Sequence, residues 1–117
     1  MKGKLGDKVR LQHIAYAISL VQEFMQDKDF AELFHNQLLL SAVERQVEII
    51  GEAANHLSEE IKEKYTTIPW RKIIGFRNLI SHEYFRVDVA ILWDVITGKL
   101  PPLEIIVEEM LADLDVE

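Results

Sequence analysis

The chain contains no cysteine, which removes a disulfide framework, a thiol nucleophile and every cysteine-based zinc site. Also missing is any apolar run near the roughly 18 residues that a membrane-spanning helix needs. The opening residues, Met1-Lys2-Gly3-Lys4-Leu5-Gly6-Asp7, lack the hydrophobic stretch of a signal peptide. These absences lead us to expect a cytoplasmic protein with no membrane partner. Positive charge is also scarce: 13 Lys and Arg stand against 20 Asp and Glu, a net charge of −7. That balance disfavours a broad electrostatic grip on nucleic acid and a basic DNA-reading helix. There is no glycine-rich phosphate loop, no Gly-x-Ser-x-Gly elbow, and no linker, low-complexity tract or internal repeat.

What remains is helical pattern. The 117 residues suffice for one domain with one core, spanning 1–117. Residues 7–28 read as a first helix with Asp7 as its N-cap and apolar residues from Val9 to Met25 at helical period. Phe30 to Phe34 reads as a short turn. Residues 36–58 carry the stripe Leu39, Val43, Val47, Ile50, Ala54 and Leu57. A charged connection, Glu59 to Thr67, leads to a third helix over 69–80 with Pro69 in its first turn. Asp88 is placed to cap a fourth helix over 88–97, Gly98 to stop it and Pro101-Pro102 to restart the chain, and Leu103 to Leu114 forms an acidic last helix. Five helices and no strand define an all-α, up-down bundle. Its apolar surface exceeds what a monomer of this size easily buries, so a homodimer is expected.

Chemistry concentrates in Phe76-Arg77-Asn78-Leu79-Ile80-Ser81-His82-Glu83-Tyr84. Residues 65–90 carry four basic and two acidic groups (+2), against 8 and 11 in residues 1–64 (−3) and one and seven in 91–117 (−6). The Arg/His stretch therefore lies in the only net-positive segment, and any RNA contact should be small and local. Arg77 could grip phosphate with a planar fork of donors, and His82 could move a proton near neutrality. Together they could cut a phosphodiester without a metal. Five residues apart, they sit about 140° apart on a regular helix and share a face only if that helix ends or distorts between them. Asn78 and His82, and Arg77 and Ser81, would share one. The plainer alternative is a surface arginine, a helix-end histidine and a half-buried tyrosine.

Other clusters are weaker. Glu32-Leu33-Phe34-His35 is a lone Glu-x-x-His element, whereas a di-iron bundle needs two. Glu48, Glu52 and His56 could line one helical face, most simply as a solvated stripe. His13 and His56 have no partner visible in sequence, and no metal or other cofactor is expected. Gly51 inside the second long helix costs about 1 kcal/mol relative to Ala. It is either tolerated, or it marks the close passage of another backbone such as that of the Arg/His helix. The acidic tail helix is a solvated face or the counterpart of a basic partner.

The stretch Arg77 to Tyr84 matches Arg-x4-His-x-Tyr and resembles HepT-like proteins, the HEPN-domain ribonuclease toxins encoded beside a minimal nucleotidyltransferase antitoxin. The likeness extends to Glu48-Ile49-Ile50-Gly51-Glu52-Ala53-Ala54, Ile68-Pro69-Trp70-Arg71, Phe85, Asp88 and Trp93-Asp94. It implies a HEPN-like bundle that dimerises to bring two Arg/His stretches into one cleft. It implies a metal-independent endoribonuclease with Arg77 and His82 as catalytic residues, to which Asn78 and Ser81 would lend support. It also implies an antitoxin that AMPylates Tyr84, as in a type VII-like toxin–antitoxin system. DNA, lacking the 2′-hydroxyl, would not be cut. A competing expectation is a non-catalytic helical subunit that binds nucleotide or docks the nucleotidyltransferase, with Arg77 as a phosphate anchor.

Overall fold

The computed structural model describes residues 3–81 and 86–116, except for the side chains at 4, 80, 81, 86 and 87. The described residues form α1 (Gly3–Phe24), α2 (Phe30–His35), α3 (Gln37–Asn55), α4 (Glu59–Lys64), α5 (Trp70–Ile74), α6 (Val89–Asp94) and α7 (Leu100–Val116). A 3-10 turn, Gly75–Asn78, continues α5, and a π turn, Val95–Lys99, joins α6 to α7. The all-α bundle expected from the sequence is what forms. A departure among the described residues is a minimal antiparallel ladder of β1 (Ile80–Ser81) and β2 (Arg86–Val87), pairing Ile80 with Val87 and Ser81 with Arg86.

The apolar stripes explain the assembly. On α1, Leu11, Ile14, Ala17, Ile18 and Val21 are buried against Leu40, Val43, Val47 and Ile50 of α3 and Leu103, Val107 and Met110 of α7. Each fully buried aliphatic side chain of this kind stabilises by about 1.5–3 kcal/mol. Gln22 fastens α1 to α7 by donating to both carboxylate oxygens of Glu104, at 3.0 and 3.1 Å. Asn36 caps α3 by accepting from the Leu39 N–H at 3.0 Å, and Asp29 does the same for α2 at Glu32. Asp88 caps α6 as expected, accepting from the Ala90 and Ile91 N–H groups.

Several boundaries differ from the sequence expectation, each for a physical reason. The expected turn Phe30 to Phe34 and part of the charged connection Glu59 to Thr67 are short helices, α2 and α4, because Asp29 and Ser58 supply caps. Asp7 does not begin a helix. It lies inside α1, only 4% exposed, and its carboxylate accepts from the Ser58 N–H at 2.8 Å and the Ser58 hydroxyl at 2.6 Å. Ser58 Oγ in turn accepts from the Ile61 N–H, so Asp7 braces the cap of α4 from across the fold. Gly98 does not stop α6 either. The helical path runs on through the π turn, where the Leu100 N–H bonds to the Val95 carbonyl. Pro101 and Pro102 lack the N–H groups that a straight α-helix would use there, and the wider turn accommodates them. The third helix ends as an α-helix at Ile74 and tightens into the 3-10 turn rather than running to Ile80.

Candidate active site

Trp70, Ile73 and Phe76 are buried and anchor α5 and the 3-10 turn on the core; the Trp70 indole N–H donates to the Tyr65 carbonyl at 3.0 Å. The anchoring leaves Arg77 and Asn78 exposed at the end of the turn. Their backbone is pressed against α3 at Gly51. A Cβ at Gly51 would lie 2.6 Å from the Arg77 backbone nitrogen, 3.0 Å from the Ile73 carbonyl oxygen and 3.1 Å from that of Ile74. Of the two explanations for this glycine, the close backbone approach is the correct one. It sets the position from which Arg77 projects.

One residue along α3, Glu52 reaches in two directions. Its Oε1 is 2.9 Å from His56 Nε2, and its Oε2 is 3.9 Å from Arg77 Nη1. Both pairs are solvent-exposed and worth at most about 1 kcal/mol each, so they orient the guanidinium more than they stabilise the fold. Beneath Arg77 opens a cleft of about 230 Å3, lined by Arg10 and His13 of α1 and by Arg45, Glu48, Glu52 and Ala53 of α3. Behind Glu48, burial and the hydrogen bond and negative charge of Glu48 push the Glu44 carboxyl up to about 7, against an opposing pull from Arg45.

That raised value has a sign that can be tested. The folded protein holds the Glu44 proton more tightly than the unfolded chain, so stability from this group is full below about pH 4.5 and is lost as pH rises to about 7. Glu44→Gln, which removes the titrating carboxyl, should raise thermal stability at pH 8 by about 1 kcal/mol once solvent screening is discounted. The gain should vanish near pH 4. Denaturation curves of both proteins at the two pH values check this; equal stability at pH 8 would contradict it.

Of the residues singled out from the sequence, Arg77 and Asn78 lie on the 3-10 turn. The backbone of Ser81 lies in the ladder. His82 and Tyr84 lie outside the described residues. The helix does end between Arg77 and His82, which was the condition for the two to share a face. His56 gains a partner in Glu52, and His13 joins the cleft. Among the described residues, no three His, Asp or Glu side chains converge as metal ligands, and Glu32 and His35 are exposed on a six-residue helix. No sequence motif marks Arg10 or Arg45 as site residues. Their helical spacing from His13 and Glu48 was visible, but not that the two faces meet. No helix among the described residues is long and apolar enough to cross a membrane.

The fold and the cleft together define an all-α bundle that presents an arginine on a tightened turn beside two further arginines. Comparison with known proteins gives the particular family. The model of the ribonuclease HepT-like family matches residues 14–110. A Methanocaldococcus jannaschii protein named as a candidate RNase is 35% identical over 97 residues, covering 83% of this chain and 89% of its own length. A Thermococcus cleftensis protein named probable ribonuclease HepT is 36% identical over 101 residues, covering 86% and 92%. The chain spans only 49% of a second M. jannaschii relative, named as a gamma-glutamylcyclotransferase and candidate RNase, which is 36% identical over 108 residues, 92% of this chain. No solved structure matches. The chain belongs to the HepT-like ribonuclease family, and membership places it in a class of RNA endonucleases.

Proposed function

We propose that this protein is a metal-independent endoribonuclease toxin of a type VII-like HEPN/nucleotidyltransferase system. The supporting observation is the Arg77 guanidinium, projected from a backbone wedged against Gly51 to the edge of a cleft with two further arginines. In this reaction the His82 imidazole of one copy takes the proton of a ribose 2′-hydroxyl, whose oxygen bonds to the adjacent phosphorus. The bond from phosphorus to the 5′-oxygen breaks, and the imidazole of a second copy returns a proton to that oxygen. The products are a 2′,3′-cyclic phosphate and a free 5′-hydroxyl. Arg77 stabilises the charge that grows on the phosphorane-like transition state, with Asn78 and Ser81 in support.

Two imidazoles require two chains. Phe34, Leu38 and Ile91 are more than half exposed, and Phe30, 38% exposed, packs edge-on against Trp93 at 5.8 Å. Covering such surface favours a homodimer. Control in the cytoplasm would fall to a minimal nucleotidyltransferase antitoxin. The Tyr84 hydroxyl attacks the α-phosphorus of ATP, pyrophosphate leaves, and the attached AMP brings bulk and negative charge to the place where RNA phosphate must enter.

The test is cleavage of RNA by the purified protein in EDTA. Products should end in 2′,3′-cyclic phosphate, and a single 2′-deoxy substitution should protect the bond it precedes. Incubation with the antitoxin and ATP should add one or more AMP units and stop cleavage, and Tyr84→Phe should block the addition. Failure to cut RNA with or without EDTA would favour a non-catalytic nucleotide- or partner-binding subunit. AMP gained by Tyr84→Phe would move the modification elsewhere.

A further inference from the structure

We infer that the cleft formed by Arg10 and His13 of α1 and Arg45 of α3 is a second phosphate subsite, which holds the backbone phosphate next to the one handled at Arg77. The inference rests on the ribonuclease reading and extends it to residues outside the Arg77–Tyr84 stretch.

Three observations carry it. The cleft is continuous with the proposed reaction site, because Arg77 lines it together with Arg10, His13 and Arg45. Its arginines are not locked in contact pairs: among the described residues neither Arg10 nor Arg45 forms an ion pair, although Arg45 lies near enough to Glu44 to act on its charge. The Arg10 Nε is also buried with no hydrogen-bond partner among those residues. An orphaned buried donor is costly, and more so when charged; an incoming anionic oxygen would relieve that cost.

Size and charge narrow the occupant. At about 230 Å3 the cleft is smaller than the roughly 300–1,000 Å3 of sites that enclose a whole cofactor. It suits a phosphodiester with part of its ribose. The two lining carboxylates do not exclude an anion. Glu52 is engaged by His56 and Arg77, and Glu48 shares the cleft with three arginines. Carboxylate oxygens here could also accept from a ribose hydroxyl. A chain with net charge −7 has little long-range attraction for RNA, so a local pair of cations one step along the strand is where extra affinity would arise.

The experiment measures binding apart from cleavage. A fluorescein-labelled, uncleavable 2′-O-methyl RNA of about eight nucleotides is titrated with the protein over a salt series and followed by anisotropy. For single strands log affinity falls with log salt with a slope of about −0.7 per phosphate neutralised. Arg10→Gln/Arg45→Gln should bind roughly tenfold more weakly and show a slope shallower by about 0.7, since one phosphate fewer is neutralised. The double Lys variant keeps the charge and should keep the slope, which disturbed packing would not spare. Lys99→Gln, outside the cleft, should bind like wild type. A wild type that cuts RNA while the double Gln variant binds with unchanged affinity and slope overturns the subsite alone. A wild type that neither cuts nor binds overturns the ribonuclease reading and the subsite with it.

Discussion

Arg77→Ala is expected to slow RNA cleavage by about 10²–10³-fold, the usual cost of removing one group that stabilises transition-state charge. The variant should fold normally. Arg77 is exposed, and its only ion pair among the described residues is the 3.9 Å approach to Glu52. Arg77→Lys should recover little. An ammonium supplies a point charge where the guanidinium supplies a fork of donors, and from this short turn it would have to reach the same phosphate. His82→Ala should cost about 10²–10⁴-fold, the typical yield of positioned proton transfer. Single-turnover cleavage rates, with unfolding curves to confirm intact folds, check all three. An Arg77→Ala protein that cuts RNA at the wild-type rate would remove the basis of the proposed mechanism.

Gly51→Ala should damage both fold and activity, against the direction that helix propensity alone predicts. Within a helix, alanine is favoured over glycine by about 1 kcal/mol. Here its Cβ would meet the Arg77 nitrogen at 2.6 Å and two carbonyl oxygens at 3.0 and 3.1 Å. All three are backbone atoms, so no side chain can rotate away, and the 3-10 turn must lift off α3. Overpacking of this kind costs about 1–3 kcal/mol. The expected result is a melting temperature lower by a few degrees. Cleavage should fall further than stability, because a displacement of about 1 Å in a positioning group can cost about 10²-fold. Thermal unfolding and cleavage by the folded fraction test this. An alanine variant as stable and as active as wild type would mean that the two backbones are not pressed together.

The sequence disclosed what depends on local periodicity and local caps. The stripes of α1 and α3, the cap at Asp88 and the all-helical class follow from spacings of three and four residues. Gly51 was legible as a question with two answers, a tolerated glycine or a close backbone such as that of the Arg/His helix; choosing between them needed the fold. The failures share one cause. Asp7 looks like a helix cap because Asp caps helices, yet its partner is Ser58, 51 residues away. Gly98 and the Pro101-Pro102 pair are strong breakers alone, and burial of Leu100 and Leu103 overrides them. Arg10 and Arg45 carry no motif. Their meeting depends on how two helices pack face to face, which no single segment encodes. Arg77 was identified by its surroundings in sequence, while the cleft below it comes entirely from tertiary packing.

The π turn between α6 and α7 also decides which residue of the junction faces the core. Counting from Leu92 and Val95 in steps of three and four, an unbroken α-helix would next point Lys99 inward, burying an ammonium. The inward position observed at the junction is instead Leu100, followed by Leu103, Val107 and Met110 as the count expects. The wide turn takes up one surplus residue. Lys99 swings to solvent and Leu100 takes the inward place, so the stripe of Leu103, Val107 and Met110 is entered from an apolar residue rather than a charged one.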